Sequence, residues 1–230
     1  SPVGASYDAF GSERYILTFD NRAFRDLASH APYGLVEIVA NASTYGGGGI
    51  FNLYGIVAVD SRWAPYIFVH EFGHHIAGLA DEYFTSPTVY EPKADRIEPW
   101  EPNVTADARR PKWSSFVTPG VPLPTPWDEA GFIEWQKGVQ ERRKRIRAQR
   151  LPESEMDELF ATEQAEATRR LSSERYAGKV GAFEGANYEA NGFYRAQADC
   201  IMFTRDELSF CAACRAAIDR IIDLYAPKAK

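Results

Sequence analysis

The chain has 230 residues, 45% hydrophobic and 25% charged, the composition of a globular protein able to bury a sizeable core. Its 26 Lys and Arg against 32 Asp and Glu leave a formal net charge of -6, which argues against a surface built to neutralise phosphates and so against nucleic-acid binding. Apolar runs such as Tyr54 to Val59 end far short of the ~20 residues that cross a bilayer, so no membrane span is expected.

Ser1 to Gly4 carry neither a basic nor an apolar leader region, and no targeting signal is read there. Arg14 to Asp20 (RYILTFD) reads as a strand, with Asn21 capping a short helix over NRAFRDLASH. Past Pro32 and Gly34, GLVEIVANA predicts a buried strand ending near Asn41. The glycines at 46–49 fit a flexible turn or backbone bared for an extended substrate, and the following IFNLYGIVAVD is read as an edge strand. After Pro65, apolar residues at 67, 68, 72, 76 and 79 recur at helical spacing, and Gly78 offers the stop.

Most of the prolines crowd into a loop over 85–127, anchored by Trp100 and Trp113. From Asp128 to about Arg175 the composition favours two helices, a helical insertion over about 128–178 with solvated charged faces. A Gly- and Asn-rich stretch then leads to a closing amphipathic helix capped by Thr204 or Asp206. This order predicts a single α/β (α+β) domain over 1–230 with one mixed sheet.

Three of the four histidines lie together, and two of them frame a glutamate as His70-Glu71-Phe72-Gly73-His74, the pattern H-E-x-x-H. On a helix, positions i and i+4 share a face, so both imidazoles present to one point. Neutral imidazoles suit Zn²⁺, and a catalytic zinc takes three protein ligands and keeps a position for water. Glu71, between the two ligands, is placed to take a proton from that water and return it to a leaving amine. Gly78 permits a sharp turn after which Asp81 or Glu82 can supply the third ligand; the short stem of Asp81 makes it the first choice. His75 sits about 100° further round the helix and is read as a packed or supporting residue.

Around this motif, YGGGGIFN (Tyr45–Asn52), DSRWAPYIFVHEFGH, EPWEPNVTA (Glu98–Ala106), PTPW (Pro124–Trp127), GFYRAQADCIM and FCAAC follow one another in an order that resembles the IgA-peptidase family of bacterial zinc metallopeptidases, relatives of the metzincins. The resemblance implies a metzincin-like endopeptidase domain with His70, His74 and Asp81 on zinc and Glu71 as the catalytic acid/base. Met202 matches the methionine turn of such enzymes, although a thioether also fills core gaps well. The tyrosine that many metzincins carry two residues later is replaced by Thr204, so the hydroxyl donor to the oxyanion is sought in Tyr194, with Tyr188 and Tyr83 as alternatives. The resemblance further implies a protein or peptide substrate, an immunoglobulin or other host glycoprotein among them, and a secreted or cell-surface location.

Two other functions fit the same motif: a zinc amidase or deacetylase acting on cell-wall peptides, and a non-catalytic module that keeps zinc for folding. A base at Glu71 speaks against the second. Cys200, Cys211 and Cys214 admit a redox pair, a second zinc site or a disulfide. A second zinc needs a ligand beyond the three thiols, so a bridge from Cys200 to one of the pair, or within the pair, is the simpler expectation.

Overall fold

The computed structural model describes residues 1–84, 97–205 and 209–226. The chain divides into two compact units, Ser1–Gly78 and Leu79–Lys230. The fold is α+β, and among the described residues it holds five α-helices and two three-stranded sheets rather than one mixed sheet.

In the first unit, α1 (Asn21–Ala28) is capped by Asp20, whose Oδ1 accepts the Ala23 N–H at 2.9 Å, one residue earlier than expected. Strands β1 (Glu37–Ala40), β2 (Gly47–Ile50) and β3 (Tyr54–Ala58) follow, then α2 (Ala64–Ala77). The sheet order is β1-β3-β2, with β1 parallel and β2 antiparallel to β3. Two expectations are thereby exchanged. Strand β3, read as an edge, is central and buried throughout, whereas β1, read as buried, is an edge whose Val39 is 60% exposed. Apolar content marks both as strands but does not say which neighbours each one finds.

Arg14–Asp20 is not a strand, because its backbone bonds are split: Leu17 N–H donates to Ser6 at 3.2 Å and Ile16 N–H to Gly47 at 3.0 Å. Its side chains still serve the core, where Ile16 and Leu17 pack with Phe24, Tyr54 and Ile56. The glycine run is likewise no flexible turn. Gly47 to Gly49 lie within β2, and the Gly47 N–H on its outer side already donates to Arg14 at 3.0 Å, which leaves that position closed to an added strand.

The second unit contains β4 (Val104–Thr105), α3 (Glu129–Ala148), α4 (Glu153–Ser172), β5 (Phe183–Ala186), β6 (Glu189–Arg195) and α5 (Ala212–Tyr225). Its sheet runs β4-β6-β5, antiparallel throughout. Asn187 and Tyr188, at φ 54° and 67°, make the tight turn of the β5–β6 hairpin, where two left-handed residues match the strand twist. Within the proline-rich loop, residues 85–96 lie outside the described ones, and the rest yields only the two-residue β4 and a short 3-10 turn.

Helices α3 and α4 stand where expected, but their faces are not all solvated. Gln136 Nε2 donates to Glu163 Oε1 at 3.1 Å between them, Gln164 Nε2 donates to the Arg205 carbonyl at 2.9 Å, and the Arg205 guanidinium pairs with Glu163 and lies over the Phe160 ring. Phe132 of α3 joins Phe84, Trp127 and Phe203 in a cluster of rings. Helix α5 begins later than predicted, with Cys211 rather than Thr204 at its cap; Asp206 lies outside the described residues.

Gly138 sits inside α3 with open space where a Cβ would go. Gly138→Ala should therefore stabilise the protein by about 0.5–1 kcal/mol, since alanine removes the backbone entropy that glycine loses in a helix. An unchanged or lower urea midpoint would contradict this. Among the described residues no helix is long and apolar enough to cross a membrane.

Candidate functional site

Helix α2 is bounded by Pro65 in its first turn, where the missing N–H costs nothing, and by Gly78, whose left-handed φ of 59° lets its N–H reach back to His74. Between them, the four-residue spacing brings His70 and His74 onto one face, ring centroids 4.9 Å apart and nearly perpendicular. Their Nε2 atoms stand 3.2 Å apart. Two neutral lone pairs at that distance repel unless a proton or a cation lies between them; bonds of ~2.05 Å to a tetrahedral ion would set the nitrogens about 3.3 Å apart. On the far side of the His70 ring, Nδ1 lies 3.3 Å from the Tyr66 hydroxyl, the kind of partner that fixes the ring's orientation.

Glu71 lies between them on the same helix, and β2 explains how helix and sheet come so close. A Cβ at Gly49 would stand 2.4 Å from the Glu71 carbonyl oxygen and 2.8 Å from His74 Cβ; one at Gly47 would stand 3.1 Å from Glu71 Cγ. The glycines thus admit the backbone and side-chain stems of the motif. His75 points elsewhere: it is 1% exposed, and its Nδ1 meets Glu37 of β1 at 2.9 Å, an anchor between helix and sheet.

In the second unit the extended segment after Gly78 is held on both sides. Asn103 accepts the Ala80 N–H at 2.8 Å and donates to the Ala80 carbonyl at 2.9 Å. The hairpin turn donates from Asn187 N–H to Asp81 O and from Tyr188 N–H to Tyr83 O, both at 3.0 Å. Glu82 N–H donates to the Met202 carbonyl at 2.8 Å. Met202 is fully buried in a tight turn that Asp199 closes by accepting from the Cys200 N–H and the Thr204 hydroxyl.

Successive side chains of an extended segment point oppositely, and Asp81 and Glu82 do so. Asp81 Oδ2 accepts from the Tyr83 hydroxyl at 2.8 Å and from the Tyr188 hydroxyl, and the two tyrosine rings meet edge to face. Glu82 instead turns into a pocket of the three cysteines. Tyr194 lies on β6, where its hydroxyl donates to Glu184 at 3.3 Å.

All three cysteines are buried and free. The expected disulfide is absent, since Cys200 Sγ and Cys214 Sγ are 3.8 Å apart, well beyond the ~2.05 Å of a bonded pair. Burial pushes the Glu82 carboxyl well above the usual carboxylate range, with neighbouring Cys211 adding to it, and burial raises the Cys200 and Cys214 thiols. Hydrogen bonds from Cys200 and Cys214, helped by N–H groups opening α5, hold Cys211 well below the ordinary thiol value.

The residues that sequence reasoning missed are the supporting ones. Tyr66 was findable, four residues before His70 on the same helix face. Glu37 and Asn103 carry no local signal, because each meets its partner only through the tertiary fold. No curated protein matches the chain. The model of the IgA peptidase M64 family, however, matches residues 1–222 of it, nearly the full length of both units, and the chain belongs to that family of metallopeptidases.

Proposed function

We propose that the protein is a zinc endopeptidase of the metzincin-like kind, in which His70, His74 and Asp81 hold the ion and Glu71 is the general acid/base. The facing Nε2 atoms of His70 and His74 carry this reading, since their 3.2 Å separation suits two corners of a tetrahedral site. A zinc ion bound there supplies a Lewis acid for the scissile carbonyl and lowers the pKa of water toward ~7. The chain's own residues do the rest. Glu71 takes the proton of the attacking water and hands it to the leaving nitrogen. Tyr83 and Tyr188 hold one oxygen of Asp81 and so fix the carboxylate's direction, while the Met202 turn steadies the extended segment that bears it.

Dialysis against a strong chelator should abolish peptide hydrolysis, and stoichiometric zinc should restore it. Full activity in metal-free protein would end this reading. Two tyrosine variants separate support of the metal from stabilisation of the oxyanion. Tyr188→Phe should weaken zinc binding by about 10- to 100-fold. Tyr194→Phe, which removes the hydroxyl proposed for the oxyanion, should lower kcat by about 10²-fold at unchanged zinc affinity. Zinc titration against a chromophoric chelator, run beside steady-state kinetics, distinguishes them.

The substrate we propose is immunoglobulin A or another host glycoprotein, on the strength of the family's description alone. Such a substrate is extracellular, and the enzyme is accordingly proposed to work in secreted form or at the surface of a bacterium.

A further inference from the structure

Glu82, Cys200, Cys211 and Cys214 are all buried, and their donor atoms lie within 4.8 Å of one another. They come from three separate stretches: the extended segment after Gly78, the Met202 turn and the first turn of α5. We propose that these four side chains bind a second, structural zinc ion, distinct from the one assigned to His70 and His74.

Three of the donor spacings are those of a tetrahedron. With Zn–S bonds near 2.3 Å, two thiolates sit about 3.8 Å apart, and with Zn–O near 2.05 Å a thiolate and a carboxylate oxygen sit about 3.5 Å apart. Cys200 Sγ and Cys214 Sγ are 3.8 Å apart, and Glu82 Oε1 lies 3.3 Å from Cys214 Sγ and 3.7 Å from Cys211 Sγ. A disulfide would need the first distance to close to ~2.05 Å, and it would leave the third thiol and the carboxylate buried without a purpose.

Two further observations point to a cation. Glu82 is 0% exposed, and among the described residues its Oε2 has no hydrogen-bond partner, an orphaned oxygen on the carboxylate whose Oε1 lies against the thiols. The groups around the donors are also arranged as supports of a thiolate site. The Cys211 N–H donates to Cys200 Sγ at 3.2 Å, Cys211 and Cys214 occupy the N-terminal turn of α5, whose dipole favours anions, and Asn103 Nδ2 holds Glu82 Oε1 at 3.0 Å. Three thiolates and a carboxylate against Zn²⁺ leave two negative charges, one of which the buried Arg195 guanidinium balances nearby. Binding releases whatever protons the four donors carry, so no redox partner is required.

Such an ion ties the Met202 turn to the extended segment that carries Asp81 and to α5. The test is made on full-length protein in which His70→Ala and His74→Ala remove the other site, purified without added metal. About one zinc per chain is expected by elemental analysis, with X-ray absorption showing sulfur neighbours near 2.3 Å. In the same sample the three thiols should be silent to a chromogenic thiol reagent until a chelator is added. A chain free of zinc, a zinc with only nitrogen and oxygen neighbours, or an intact mass two hydrogens short of the reduced chain would each overturn the proposal. X-ray absorption of the unsubstituted protein separates the same outcomes should the double variant not fold, since His70, His74 and Asp81 contribute no sulfur. Loss of peptidase activity plays no part in this readout, so the two metal assignments stand or fall separately.

Discussion

Glu71→Gln should reduce kcat/KM for peptide hydrolysis by about 10³-fold or more while the protein keeps its fold and binds the proposed zinc as before. The amide is nearly the size and shape of the carboxylate, so packing against β2 is unchanged, but it cannot accept the proton of an attacking water. The residue sits between His70 and His74 in sequence, one helical step from the first proposed ligand, and the proposed site does not need it to hold the ion. Activity and metal content therefore separate in this variant, which they do not in His70→Ala or His74→Ala. Near-normal turnover by Glu71→Gln, measured against an inactive chelated control, would falsify its role as general acid/base.

Gly49→Ala should cost about 3 kcal/mol of stability, at the upper end of the overpacking range, and should inactivate whatever protein still folds. The added methyl would stand 2.4 Å from the Glu71 carbonyl and 2.8 Å from His74 Cβ. Neither neighbour is the tip of a flexible side chain, so relief requires α2 to move away from the sheet and to carry both imidazoles with it. Gly34→Ala is the control, because nothing lies within 4 Å of a Cβ there. Equal urea midpoints for the two variants would show that the close approach of helix and strand is not a constraint.

The sequence displays the H-E-x-x-H helix well because its information is local: apolar period, paired histidines and a terminal glycine all act within one element. The same holds for α3 and α4. It fails where the partner is distant. Arg14–Asp20 has strand composition, yet its backbone bonds divide between Ser6 and Gly47, so no ladder forms. The glycines of β2 have the composition of a loop but are selected by the helix lying over them. The choice between Asp81 and Glu82 has only a weak local answer, the shorter stem of Asp81. It becomes meaningful only when Glu82 is seen among thiols, one of them 132 residues away in the chain, and Asp81 beneath two tyrosine hydroxyls. The missing fourth donor that made a second zinc unattractive from sequence is Glu82 itself.

The grip of α4 on Arg205 bears on how such a chain can be shortened in the laboratory. Excising the helical hairpin would strip the guanidinium of its acid partner Glu163 and of the Phe160 ring beneath it, and would bare the backbone carbonyl that Gln164 covers. A minimal core designed by cutting there would lose that acid and that ring at the base of the very loop that presents Met202, so the two helices behave as scaffolding that cannot be struck once the building stands.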